Sequence, residues 1–149
     1  KRLSPEARNC ITIENEEISY GLNDCLSISD IVPIVLDIHH HWIREGEYIH
    51  AGDDRVKRVI DSWRGTRPTI HYSISREDVL TGHDATIAPD HKLLLEAGHK
   101  KQKLRAHSDF YWNREVNAWA LTFLEHSDIM CESKGKNLAS RALYDQWNK

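Results

Sequence analysis

Short apolar runs alternate with helix-type segments along this chain. The run at residues 31–38 is almost wholly apolar, as expected for a parallel strand that is covered on both faces. Further strands are predicted at residues 10–16, 68–73 and 129–133. Amphipathic helical patterns are predicted at residues 22–28, 53–65, 113–126 and 138–147, the first of them capped near Ser19. This order predicts an α/β fold, (β/α)4, with parallel strands, outer helices and right-handed crossovers.

The strand-like runs end in side chains of the type that binds metal ions. They are Glu14, Asp37, His40, His71, His107 and Glu132. Carboxylates and imidazoles coordinate divalent metals, and the carboxyl ends of parallel strands meet at one edge of a sheet. Any one of these residues alone is equally well explained as a solvated cap or a polar surface group. Their recurrence at the same end of successive strands predicts a shared metal site.

Composition narrows the class of protein. The 149 residues, 40% hydrophobic and 29% charged, fit one domain over residues 1–149, and the net charge of −3 gives no global attraction for nucleic acid. No apolar run approaches the roughly 20 residues that span a bilayer, and no targeting segment is visible. The three cysteines have no CxxC spacing, which argues against a thiolate zinc site. We therefore expect a cytoplasmic protein without membrane contacts.

The connection from Ile74 to Tyr111 is much longer than an ordinary βα loop, and such loops are usually functional. It carries a basic cluster, which is interpreted either as a solvated loop face or as a phosphate-contacting segment. Its members are Lys100, Lys101, Lys103 and Arg105. The aromatic residues Phe110, Tyr111 and Trp112 follow, and we interpret them as helix packing rather than as a platform for stacking bases.

Five segments resemble successive strand motifs of one enzyme family. The segments are TIENEE, IVPIVLDIHHH, RPTIHYS, AHSDF and DIMCESKGK. In this order they resemble the carboxyl-terminal half of the UV damage endonuclease family, a TIM-barrel group of metal-dependent DNA repair enzymes. The likeness spans about residues 8–145. The order of carboxylates and histidines is also similar to the wider apurinic endonuclease and xylose isomerase-like barrels.

The resemblance implies a ligand set and a reaction. Glu14, Asp37, His40, His71, His107 and Glu132 would bind divalent metal, manganese first, with magnesium and zinc as alternatives. Glu14, His107 and Glu132 would also serve catalysis, and the basic cluster would contact DNA. Metal-activated water would then hydrolyse a phosphodiester of damaged duplex DNA on the 5′ side of the lesion. No separate serine or cysteine nucleophile is required.

The resemblance also implies an incomplete barrel, because a closed one needs eight strands and about 250 residues. We expect half of a TIM barrel, either a fragment that lacks its amino-terminal half or a unit that forms a homodimer, with weak or no activity alone. Thr69 stands where the family has a metal-bridging lysine. Two alternatives stay open: a non-catalytic remnant that binds metal or mediates assembly, and half of a sugar isomerase-like barrel.

Overall fold

Four short parallel strands form one sheet in chain order. The computed structural model describes residues 3 to 148. Its strands are β1 (Ile13–Glu14), β2 (Ile34–Asp37), β3 (Thr69–Tyr72) and β4 (Asp128–Cys131). Each strand pairs in parallel with the next one along the chain, so β1 and β4 are the two edges. The predicted α/β class with a parallel sheet is confirmed.

Helices flank the strands along the chain, and several of them pack on the outer face of the sheet. Before β2 they are α1 (Pro5–Asn9) and α2 (Leu22–Leu26), and between β2 and β3 they are α3 (Ile38–Glu45) and α4 (Asp54–Ser62). After β3 follow α5 (His91–Glu96), α6 (Lys101–Leu104), α7 (Arg114–Leu121) and α8 (Lys136–Trp147). The main core contains Leu36 and Ile70 from the strands, with Val56, Val116 and Leu143 from the helices.

The two faces of the sheet differ in burial. On β3, Ile70 and Tyr72 are buried beneath the helices, whereas Thr69 and His71 on the opposite face are only half-buried. Met130, the register partner of His71, is 52% exposed. All four residues of β2 are buried, as its apolar sequence predicts. The inner face is therefore covered at the centre of the sheet and open toward β4.

Several predicted boundaries were wrong. The first strand is reduced from residues 10–16 to Ile13–Glu14, because α1, capped by Ser4, continues to Asn9 and Cys10 closes it. Helix α2 begins at Leu22 as predicted, but its N-cap is Gly21 rather than Ser19, and it ends at Leu26 rather than at residue 28. The predicted helix at residues 113–126 is split into α7, capped by the Asn113 side chain, and a 3-10 turn over Thr122–Glu125.

Helix α3 was not predicted at all. It begins directly after β2 without a loop, and the Asp37 side chain caps it by accepting a hydrogen bond of 2.7 Å from the backbone N–H of His40. The left-handed Gly46, at φ 77°, ends it. A residue that we assigned only as a strand-end ligand therefore also starts a helix.

The long connection after β3 carries its own structure and returns to the end of that strand. It contains α5 and α6, and Leu80 and Leu104 from it form a second small core with Trp42 and Ile43 of α3. Ser75 and His107 form an antiparallel bridge, and the backbone N–H of Ser108 donates to the Ile74 carbonyl at 2.9 Å. These contacts bring His107 back to the carboxyl edge of the sheet.

Among residues 3–148, no helix has both the length and the apolar character needed to cross a membrane.

The buried Asn15 side chain joins the ends of β1 and β2. Its Nδ2 donates to the Asp37 carbonyl and its Oδ1 accepts from the Asp37 N–H, both at 2.9 Å. We predict that Asn15→Ala lowers the free energy of unfolding by about 2–4 kcal/mol, because it leaves two buried backbone groups unpaired. Urea denaturation tests this, with the exposed Asn137→Ala as the control; equal effects of the two substitutions would contradict it.

Candidate metal centre

Four side chains, one from the carboxyl end of each strand, converge on one point. They are Glu14, Asp37, His71 and Glu132, and each offers one ligand atom within 4.8 Å of the other three. Glu14 and Asp37 are the last residues of β1 and β2, and His71 is the register partner of Asp37. Glu132 follows β4, and its N–H still pairs with the Tyr72 carbonyl at 2.9 Å. The parallel register of the sheet thus creates the cluster.

His71 lies between two carboxylates. Its Nδ1 is 3.2 Å from Glu14 Oε1 and 3.3 Å from Glu132 Oε1. The adjacent Glu14 and the other surrounding carboxylates raise the pKa of His71, although burial opposes them. Burial by itself would raise the pKa of Glu14, but the nearby His71 and His40 hold that pKa below its ordinary value. The carboxylates of the cluster therefore favour the protonated form of His71.

Asp37 is fully buried and only one of its carboxylate oxygens is satisfied. Oδ1 caps α3, whereas Oδ2 has no hydrogen-bond partner. Burial, together with the charges of Glu14 and Glu132, raises the pKa of Asp37 to about 7 against the opposing effect of His40. A buried carboxylate oxygen without a donor is costly unless a cation is near. The three carboxylates and one imidazole are therefore a donor set that fits a divalent metal ion.

His40 and His107 lie beside this cluster but are not members of it. His40 Nδ1 is 3.7 Å from both Glu14 Oε1 and Asp37 Oδ2, and 3.3 Å from the Asn15 carbonyl. The centroid of the His107 ring lies 6.3 Å from that of His40. Burial lowers the pKa of His107, while the charge of Glu132 raises it. Both imidazoles border the site, one on the β2 side and one on the β4 side.

Glu17 was missed by the sequence interpretation. Its side chain is only 9% exposed, Oε1 accepts from Arg105 Nη1 at 2.7 Å, and Oε2 lies 3.7 Å from His40 Nε2. A carboxylate behind an imidazole is the usual device that orients a ligand histidine. Its position three residues after Glu14 was the available signal.

The two other histidines of the HHH segment point away from the site. His39 is fully buried, with Nδ1 2.7 Å from Ser73 Oγ and Nε2 3.3 Å from Ser75 Oγ. Burial lowers the pKa of His39 to about 3. His41 Nε2 lies 2.8 Å from Glu47 Oε1. Helical geometry thus assigns one histidine to the core, one to the site and one to a hydrogen bond with Glu47.

The basic cluster lies on and beside α6, and half of it is engaged within the protein. Lys101 Nζ donates to the Arg44 carbonyl at 2.8 Å, and Arg105 is paired with Glu17. Lys100 and Lys103 are exposed. Because Glu17 also faces His40, α6 is connected to the edge of the metal centre.

Comparisons with known proteins agree on one family. The family model described as UV-endonuclease UvdE matches residues 1–148. A UV-damage endonuclease of Neurospora crassa is 28% identical over 123 residues, which are 68% of this chain and 19% of that protein. A UV DNA damage endonuclease of Bacillus cereus is 24% identical over 153 aligned positions, covering 98% of this chain and 40% of that protein.

A solved structure has the same fold. The crystal structure of SacUVDE is similar with a TM-score of 0.64 and 24% identity, over 99% of this chain and 43% of that one. This chain therefore spans less than half the length of the proteins described here.

The raised pKa of Asp37 predicts a pH dependence of stability in the metal-free chain. The folded state keeps a proton on Asp37 that the unfolded chain has lost, so the Asp37 contribution to the free energy of unfolding should fall as the pH rises from 3.8 to about 7. His71 acts in the same direction, because its stabilising contribution is lost as the pH rises through its raised pKa. His39 acts in the opposite direction, because its pKa is lowered to about 3 and its contribution therefore rises up to pH 6.5. Asp37→Asn should thus make the free energy of unfolding rise more steeply, or fall less steeply, with pH than in the wild type, as measured by urea denaturation with EDTA. An unchanged slope, equal to that of the exposed control Asp30→Asn, would contradict the assignment.

Proposed function

The chain belongs to the UV-endonuclease UvdE family, and we propose that it forms the metal-binding half of a DNA repair endonuclease that hydrolyses a phosphodiester 5′ to a UV lesion. The observation that carries the proposal is the convergence of Glu14, Asp37, His71 and Glu132 around an unpartnered buried carboxylate oxygen. The family match favours this reaction over the sugar isomerase alternative, which is not supported by any of the contacts described for residues 3–148.

Glu14, Asp37, His71 and Glu132 would hold a divalent cation, with His40 and His107 as further ligands at its borders. Oxygen and imidazole donors suit manganese, and they also accept magnesium or zinc. When bound, the cation would supply activation of water and stabilisation of charge on the phosphate. His107, whose pKa burial lowers, would be neutral near pH 7 and able to accept a proton beside Glu132.

Damaged duplex DNA is the substrate that the family name suggests. The exposed Lys100 and Lys103 of the basic cluster are proposed to contact its backbone on the β1 side of the site. Arg105 would have a different role, because it is committed to Glu17 and through it supports His40.

A non-catalytic remnant is the second candidate, and Thr69 is the observation that favours it. Thr69 lies two residues before His71 and on the same face of β3. The resemblance to the family implies a bridging lysine at this position, and a hydroxyl is both too short and too weakly acidic to replace a carboxylated lysine. We therefore infer that the centre holds fewer ions than the family's full cluster.

We also propose that the domain is a half-barrel completed by another four-stranded unit. Strands β1 and β4 have no further partner strand within residues 3–148, and the face that carries Met130 is open. Unpaired edges are normally covered. In a solution of this chain alone, a second copy is the available cover, and an open sheet would cut DNA weakly or not at all.

The assembly is testable by sedimentation velocity. We predict a twofold dimer at tens of micromolar, because two parallel half-sheets can pair β4 of each with β1 of the other. Met130→Lys, on the open face, should shift the population toward monomer, whereas Lys57→Gln on α4 should not. A wild-type chain that is strictly monomeric would contradict self-completion.

Metal binding tests the central function. We predict that the chain binds Mn²⁺ in titration calorimetry and that His71→Ala weakens binding by at least about tenfold. Substitution of residues that only hydrogen-bond to metal ligands already weakens metal binding by about that factor, and loss of a ligand should cost no less. The exposed His126→Ala is the matched control. Equal affinity of wild type and His71→Ala would refute the assignment.

The proposed effect of Thr69 is tested by a substitution that should increase metal binding. We expect Thr69→Lys to raise the number of Mn²⁺ ions bound per chain when the titration is run in bicarbonate, which allows the lysine to become carboxylated. Thr69→Val should leave that number unchanged. Identical stoichiometry for the lysine variant and the wild type would exclude this position as the missing bridge.

A further inference from the structure

Two loops meet beside the metal centre on the β4 side. The N–H of Lys134 donates to the Ser108 carbonyl at 3.1 Å, and the N–H of Gly135 donates to the Asp109 carbonyl at 2.8 Å. A Cβ on Gly135 would lie 2.5 Å from the Asp109 oxygen. The close approach therefore requires glycine, and it fixes the segment after His107 against the segment after Glu132.

Phe110 is presented to solvent by this junction. It is 48% exposed, whereas the next residue, Tyr111, is buried in a stack with Tyr72. Trp112 is half-buried and donates to the Ser75 carbonyl at 2.9 Å. The interpretation of this aromatic segment as packing thus holds for Tyr111 and Trp112 but fails for Phe110. The edge of the Phe110 ring lies against Gly135, since a Cβ there would be 3.4 Å from its Cε1.

Two lysines flank the same glycine. Lys134 and Lys136 are exposed, and neither has a carboxylate partner within 4.0 Å in residues 3–148. Both line a groove that also contains His107 and Glu132. Two positive charges without a close carboxylate partner in the described part of the chain therefore lie beside the candidate metal centre, which is the placement expected for contacts to a phosphate backbone.

Phe110 itself lines a second concavity with a different character. This concavity contains the ion pair of Arg76 with Asp78, together with Glu77 and Asp109. Phosphate would be repelled by Glu77 and Asp109, which have no ion-pair partner among residues 3–148, whereas the amino groups of bases could donate to these carboxylates. The junction is thus polarised, with phosphate favoured on the lysine side and a base on the side of the aromatic ring.

We propose that Phe110, Lys134 and Lys136 form a nucleotide subsite in which the ring stacks on a base of the DNA strand and the lysines bind its adjacent phosphates. The inference rests on the proposed function only in taking DNA as the ligand. Stacking on an aromatic ring tolerates every base, so the subsite would hold the strand without reading its sequence. It lies on the β4 side of the metal centre, opposite the basic cluster.

Fluorescence anisotropy with labelled single-stranded DNA in EDTA tests the subsite without metal or cleavage. One probe is an ordinary oligonucleotide. The other has the same length and the same sugar-phosphate backbone, but its nucleotides lack bases. We expect Phe110→Ala to weaken binding of the ordinary probe by about five- to a hundredfold and to leave the abasic probe unaffected, with Phe110→Tyr retaining wild-type affinity. Tyr144→Ala, another exposed aromatic, is the control.

The lysines are tested by salt dependence. Lys134→Gln with Lys136→Gln should weaken both probes and reduce the slope of log affinity against log salt by about 1.4, the value for two phosphates on a single strand. The control pair is Lys57→Gln with Lys92→Gln. Equal losses by Phe110→Ala on both probes, an unchanged slope in the lysine variant, or a wild-type chain that binds neither probe would each overturn the subsite. The Mn²⁺ titration fails or succeeds independently, because these substitutions leave the four-residue cluster intact.

Discussion

The buried carboxylate of Asp37 is the constraint on which the rest of the site depends. One oxygen is used to start α3, and the other is left without a donor at the point where the four strand ends meet. Asn15 fixes the backbone of the same residue, and α3 then carries His40 to the border of the cluster. A buried group that is half satisfied is tolerated in a native fold when something else completes it. The surrounding carboxylates make a cation the natural complement.

The fold supplies this arrangement with few elements. Parallel pairing in chain order places every strand end at one edge, and the long connection returns to that edge through the bridge between Ser75 and His107. Glu17 and Arg105 then couple the β1 side to α6, while Gly135 packs against Phe110 on the β4 side. The four-residue cluster is thereby bordered by exposed lysines on two sides, as the proposed binding of a DNA strand requires.

The sequence was sufficient for the fold class and for the four converging residues, because both follow from the order of apolar runs and their polar ends. It was not sufficient for the short β1, whose pairing depends on β2 farther along the chain. It also missed α3, because Asp37, the local cap of that helix, was interpreted only as a strand-end ligand. It selected His40 from the three adjacent histidines, but it left the positions of His39 and His41 unassigned, because their directions are set by a helix that was not foreseen. The exposure of Phe110 likewise depends on the meeting of two loops, which no local pattern records.

Anomalous diffraction from a crystal grown with Mn²⁺ tests the central claim most directly. Data collected on either side of the manganese absorption edge locate the ion without reference to activity or assembly. The account predicts an anomalous peak between the side chains of Glu14, Asp37, His71 and Glu132, with Asp37 Oδ2 turned toward it. A saturated crystal with no peak among these four residues would contradict it, whatever other sites were occupied.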